Sequence, residues 1–168
     1  MEEVKNYRNR NNNFNTNNNI VNLDDCFLYN QRTELLTGTN KNYCNICQQL
    51  YDCNYTTHIY SPPTILILIL NRGKNNVYDV KLDFREIFDI TKYVYVEMKD
   101  KPLLYNLIGV ITHIGKSGPA AHFVASCKSS VDNMWYRFND SLVSKINNVQ
   151  KDIINFETPY ILFYQKSN

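Results

Sequence analysis

The chain has 168 residues, 43% of them apolar, enough for one domain with a core of its own. Its 18 basic and 16 acidic residues leave a formal net charge of +2 and are spread along the chain, so it lacks the basic footprint of a nucleic-acid-binding protein. Five cysteines, an odd number, and no secretory apolar segment after Met1 point to a reducing compartment, cytoplasm or nucleus.

From Asn6 to Asn22 asparagine dominates, with almost no apolar residues besides Phe14, Ile20 and Val21. Such a segment buries too little surface to offset its ordering entropy, and residues 1–22 are predicted to be a disordered tail. Residues 23–36, an acidic and apolar mix with Asp24, Asp25, Leu28, Leu35 and Leu36, read as one short helix or two. Strands are predicted over 57–61, 65–71, 81–84, 107–113, 122–128, 134–140 and 160–165. The apolar run 65–70 follows two prolines and is far short of the about 20 residues that cross a bilayer; it reads as a central strand buried on both faces. No membrane association is expected. The fold class is α+β, mainly antiparallel sheet with few short helices. Internal repeats are absent.

Between the strands 122–128 and 134–140 lie Ser129 to Asn133, which are turn chemistry, and the two strands read as a hairpin. If it is symmetric about Val131, His122 sits directly opposite Asp140. Cross-strand partners place their Cβ atoms about 4.5–5.5 Å apart, so the carboxylate could accept the imidazole Nδ1 proton and leave Nε2 as a general base. A bulge would shift the register by one residue and turn one side chain away. Taken alone, a histidine at a strand start and an aspartate before a turn are far more often surface polar residues.

The surrounding residues resemble the ubiquitin-specific proteases, papain-like cysteine hydrolases that remove ubiquitin. One block is Tyr105-Asn106-Leu107, Val110-Ile111-Thr112-His113-Ile114-Gly115, Ala121-His122-Phe123 and Trp135-Tyr136-Arg137-Phe138-Asn139-Asp140. The closing strand is Pro159-Tyr160-Ile161-Leu162-Phe163-Tyr164. Upstream, Tyr43-Cys44-Asn45-Ile46-Cys47 resembles the family's Tyr-x-Cys-x-x-Cys, and the run from Pro62 to Arg72 resembles its Pro-x-x-Leu-x-x-x-Leu-Lys-Arg-Phe. The resemblance covers Leu23 to Lys166, the C-terminal half of such a catalytic domain, and implies a fingers remnant joined to a palm sheet.

It also implies roles. His122 would be the general base and later general acid, Asp140 its orienting carboxylate and Asn139 a polar helper. Ala121, Phe123 and Tyr136 would line the channel for the ubiquitin tail. The family's nucleophilic cysteine lies in an Asn-x-Gly-x-x-Cys-Tyr-type box, and this sequence has none; Cys26 sits in a helix-opening stretch. Departures from the pattern are Ala121 for Gly, Phe123 for Tyr, and Asn71-Arg72-Gly73 for Lys-Arg-Phe. The resemblance therefore implies a ubiquitin carboxyl-terminal hydrolase-like chain, inactive alone, whose partners are ubiquitin and ubiquitinated proteins and whose chemistry needs no cofactor. The competing readings are a non-catalytic ubiquitin-binding or scaffold module, and a product that does not fold cooperatively because one sheet face is exposed.

Cys44 and Cys47 also raise structural zinc. Their family companion, an earlier Cys-x-x-Cys, is absent here, and Cys44, Cys47, Cys53 and His58 form a local alternative set. The other reading is a fingers region without metal, its cysteines small buried residues. His113 is expected to shape the loop through Gly115 and Gly118, and Trp135 to be core or interface. Cys127 alternates onto the face opposite His122, which suits a core role. Leu142, Val143 and Ile146 have helix-like spacing, whereas the resemblance implies an irregular segment there; both stay open.

Overall fold

A computed structural model describes residues 1–11, 20–72, 80–95, 102–114, 122–155 and 158–167. Among the described residues its α-helices are α1 (Glu2–Asn11) and α2 (Leu23–Asn30), and a π-helical turn spans Gln150–Ile154. The strands are β1 (Ile20–Asn22), β2 (Glu34–Leu36), β3 (Asn42–Cys44), β4 (Gln49–Tyr51), β5 (Cys53–Tyr55), β6 (Ile65–Ile69), β7 (Lys81–Asp83), β8 (Ile87–Asp89), β9 (Leu104–Ile114), β10 (His122–Lys128), β11 (Trp135–Asn139), β12 (Leu142–Ile146) and β13 (Pro159–Lys166).

Seven of them form one antiparallel sheet in the order β12-β11-β10-β9-β13-β6, with β8 alongside the start of β9. The two-stranded pairs β2–β5 and β3–β4 are separate from this sheet and mostly exposed, and β1 pairs in parallel with β7. The sheet's inner face carries Leu66, Leu162, Val110, Trp135 and Ile146 into a core completed by Leu23, Leu82, Ile153 and Ile154. Buried tyrosines there keep their hydroxyls satisfied: Tyr164 donates to the Arg85 carbonyl at 2.7 Å and Tyr105 to that of Pro63.

The opposite face is apolar as well. The register aligns Val143, Phe138, Ala125, Ile111, Ile161 and Ile69 in one row across six strands. Its ends are open, with Ile69 68% and Val143 55% exposed. This corrects the expectation for residues 65–70: β6 is an edge strand, with Leu66 inward and Ile65, Ile67 and Ile69 outward. Because both alternating sets are apolar, the period of two is invisible in the sequence.

The amino-terminal expectation also needs correction, because α1 and β1 flank residues 12–19, which lie outside the described residues. Glu2 and Glu3 in the first turn of α1 and Arg8 and Arg10 in the last complement the helix dipole. Val4 enters the core, Arg8 pairs with Asp25 at 3.6 Å, and the Tyr29 hydroxyl donates to Glu3 at 2.7 Å. Helix α2 is held by a reciprocal capping box between Asn22 and Asp25. The predicted strand 57–61 is reduced to a single bridge between Ile59 and Val94, and 142–146 is strand β12.

Candidate active site

Strands β10 and β11 are joined by a turn in which Ser129 N–H donates to the Met134 carbonyl at 2.8 Å and Asn133 adopts φ 58°. The extra left-handed residue moves the axis of the hairpin one half-step past Val131, so Ala125 faces Phe138 and Cys127 faces Tyr136. The expected opposition of His122 and Asp140 is thereby corrected. Asp140 falls outside the strand, in the two-residue turn Asp140–Ser141 at φ 52°, while Asn139 is the last strand residue and shares a sheet face with His122.

The His122 Nε2 to Asn139 Oδ1 distance is 2.5 Å. The Asp140 carboxylate stands 3.9 Å from the same nitrogen, with its side chain 83% exposed. An amide oxygen only accepts, so Nε2–H donates to it and, in the neutral ring, Nδ1 carries the free lone pair. The nitrogen assignment read from the sequence is therefore inverted, and Asn139 outranks Asp140 as the direct partner. Such a ring can take a proton at Nδ1 from a thiol or water in front of it.

Behind His122, on the other sheet face, Phe123 meets His113 edge-on at 5.1 Å and Tyr160 at 5.3 Å between ring centroids. His113 is buried, and its carbonyl accepts the Thr158 hydroxyl at 3.1 Å. This aromatic cluster fixes the β10 backbone that aims the imidazole. Phe123 thus lies beside the site, whereas Tyr136 lies at the far end of the hairpin, its hydroxyl donating to Asp132 at 2.6 Å. Ala121, Gly115 and Gly118 lie outside the described residues. Trp135 is core, as expected. Cys127 does lie on the face opposite His122, but it is exposed there, not buried.

Among the described residues no hydrogen bond joins a cysteine to His122. Cys26 packs against the core, where burial pushes its thiol up to about 11, the wrong direction for a nucleophile. Cys44 ends β3, Cys47 lies within the β3–β4 turn, Cys53 lies on β5 and His58 in the segment before β6. Among the described residues no three metal-ligating side chains converge, so the four-ligand set read from the sequence is not assembled. Nor are Cys44 and Cys47 buried: one is half-exposed and the other open to solvent. Backbone N–H groups of Cys47 and Ile46 and the Cys47 thiol hold the Cys44 thiol below its ordinary value. No described helix is long and apolar enough to cross a membrane.

The family model described as ubiquitin carboxyl-terminal hydrolase matches residues 2–164. The chain belongs to the ubiquitin carboxyl-terminal hydrolase family. It is 33% identical over 141 residues to ubiquitin carboxyl-terminal hydrolase 25 of Arabidopsis thaliana, a match covering 82% of this chain and 21% of that protein. With ubiquitin carboxyl-terminal hydrolase 8 of Saccharomyces cerevisiae it shares 31% over 136 residues, 73% of this chain and 28% of that one. Among solved structures, the SAGA Ubp8/Sgf11/Sus1/Sgf73 DUB module bound to ubiquitin aldehyde superposes with a TM-score of 0.70 at 26% identity, over 89% of this chain and 35% of the matched chain. The fold is thus the papain-like α+β domain of ubiquitin-specific proteases, and this chain spans about a third or less of the length of these relatives.

Proposed function

We propose that the chain supplies the general-base arm of a cysteine-type deubiquitinase that cleaves thioester or isopeptide bonds after the C-terminal glycine of ubiquitin. The observation that carries this is the Nε2 to Asn139 Oδ1 contact of 2.5 Å, which leaves His122 Nδ1 as the basic nitrogen. A cysteine thiol from outside this sequence would lose its proton to Nδ1, and its thiolate would attack the glycine carbonyl. His122 would return the proton to the departing lysine amine. It would then deprotonate the water that hydrolyses the thioester. Asn139 keeps the ring oriented throughout, and Asp140 stabilises the imidazolium without accepting its proton.

Without a Cys box in its sequence, the chain alone is expected to be inactive. Incubation with a fluorogenic amide of the ubiquitin C-terminus tests this: no turnover is expected, and turnover that vanishes in His122→Ala would overturn it. The second reading, a non-catalytic ubiquitin-binding module, draws support from the ubiquitin-aldehyde complex of the matched Ubp8 module. Titration of ubiquitin against labelled chain should then give a saturable shift, and its absence removes that reading.

A further inference from the structure

Along residues 84–93 the chain divides its side chains between core and solvent. Phe84, Phe88, Ile90 and Tyr93 are buried, whereas Arg85, Ile87, Asp89 and Lys92 stay outside. A cavity of about 540 Å³ opens there, between the first turn of α2, strand β8 and the turn Thr91–Tyr93, a volume within the range of ligand pockets. It lies at the other end of β9 from the candidate active site, since β8 pairs with Leu104 to Asn106 and His122 with Ile114. At about 3.4 Å per residue, Asn106 and Ile114 are roughly 27 Å apart along the strand.

The acids of the cavity already have partners. Asp24 accepts from Lys92 Nζ at 2.6 Å and from the Tyr93 hydroxyl. Asp89 Oδ1 accepts the Thr91 N–H at 2.8 Å and the Thr91 hydroxyl. Arg85 differs: among the described residues its guanidinium makes no hydrogen bond or ion pair, and only its carbonyl is used, by the Tyr164 hydroxyl at 2.7 Å. The backbone of β8 is open as well. Leu107 N–H donates to the Glu86 carbonyl at 2.7 Å and Ile90 N–H to that of Leu103 at 3.0 Å, so the even-numbered residues point at β9. By the alternation of an antiparallel ladder, Ile87 and Asp89 turn their N–H and C=O groups the other way, where no described strand pairs with them.

We infer that this cavity and strand edge form a docking site for an extended acidic peptide, a segment of a partner protein in which Glu or Asp stands two residues from an apolar side chain. The peptide adds to β8 through the Ile87 N–H and C=O, and its carboxylate meets the unpaired Arg85 guanidinium, whose planar fork suits two parallel bonds. Its apolar side chain covers Ile87, which is 57% exposed. Arg85 and Ile87 are two residues apart, so alternate side chains of one strand reach both. Charge fixes the orientation: Lys92 offsets Asp24, and Asp89 repels a carboxylate at its own end, which leaves the Arg85 end for the acidic residue.

The test titrates the blocked heptapeptide acetyl-Thr-Val-Thr-Glu-Thr-Val-Thr-amide, whose residue order is the same in both directions, against the isotope-labelled full chain. Saturable NMR shifts should appear at the Ile87 and Asp89 amides and at Arg85 Nε–H, and none at His122. Replacing the peptide's Glu by Gln should weaken binding about tenfold, the share of the charge-assisted bonds. In Arg85→Gln the two peptides should bind alike, and in Arg85→Lys part of the discrimination should return. Tyr164 bonds only the Arg85 backbone, so both variants keep the described contacts of the fold, and an otherwise unchanged amide spectrum checks this. Absence of a saturable shift, equal affinity of the Glu and Gln peptides for wild type, or a preference for Glu that survives Arg85→Gln would each overturn the inference. So would a blocked single glutamate that binds as tightly as the heptapeptide, because the strand edge would then contribute nothing.

Discussion

Asn139→Ala should free the His122 ring, while Asp140→Ala should leave it almost where it is. The hydrogen bond from Nε2–H to the Asn139 oxygen is 2.5 Å long and partly buried, and a neutral bond of this kind nets about 0.5–1.5 kcal/mol. The carboxylate lies 3.9 Å away with its side chain 83% exposed, in the range where pairs contribute about 0–1 kcal/mol and salt screens what there is. A preference of about 1 kcal/mol for the proton on Nε2 corresponds to roughly a fivefold tautomer ratio. Long-range proton–nitrogen correlation spectra of histidine-labelled chain read this ratio directly in the neutral ring. Wild type should show protonated Nε2 and bare Nδ1, Asn139→Ala should shift the ratio about fivefold toward Nδ1–H, and Asp140→Ala by less than about twofold. A larger shift in Asp140→Ala, or Nδ1–H in the wild type, would refute the reasoning and restore the carboxylate as the direct partner.

Arg72 fastens the end of β6: its guanidinium donates to the Pro159 carbonyl at 2.7 and 3.1 Å and to that of Val80 at 2.9 Å. Arg72→Met leaves both buried carbonyls short of a donor and should cost about 2–5 kcal/mol in urea unfolding; a loss under about 1 kcal/mol would mean that water replaces the guanidinium. The two faces of β6 should respond differently, Leu66→Ala costing about 2–5 kcal/mol and Ile67→Thr staying within about 1 kcal/mol, and similar losses would contradict an uncovered outer face. Bonds from the Tyr136 hydroxyl, Met134 N–H and Ser129 hydroxyl hold the Asp132 carboxyl down to about 2. Its folded value lies below the unfolded one, so its contribution is present above about pH 4 and lost as pH falls toward 2. A carboxyl titration by NMR should find that midpoint, with amide exchange in the turn rising below it and the step absent in Asp132→Asn; a midpoint near 4 would count against these bonds.

How much of this fold is legible in the sequence depends on what each residue is asked to reveal. The bounds of β10 are those read from alternation, because His122 to Lys128 alternates partners on two unlike faces. Strand β6 alternates too, but Ile against Leu, and composition cannot say which set faces the core. The asparagine-rich start hides α1 for a different reason. Its order rests on Val4, Arg8 and Glu3 meeting α2, contacts made by a few non-asparagine residues that mean composition averages away. The packed arginine at position 72 was visible only as the arginine kept between two departures from a motif, Asn71 and Gly73, since nothing local announces that Val80 and Pro159 need donors.

At the site the error was one residue of register, and its source is local. Val131 is the middle of the segment Ser129 to Asn133, but Asn133 takes the left-handed conformation, which Asn tolerates better than most residues, and Met134 is already paired with Ser129. That half-step places Asn139 at the end of β11 and pushes Asp140 into the next turn. A hairpin read as symmetric puts a carboxylate on Nδ1 and frees Nε2; the observed one puts an amide on Nε2 and frees Nδ1. Both carry a histidine and an acid close together, so residue types alone could not separate them. The difference decides which nitrogen would face an incoming thiol, and hence from which side of the imidazole a nucleophile would have to approach.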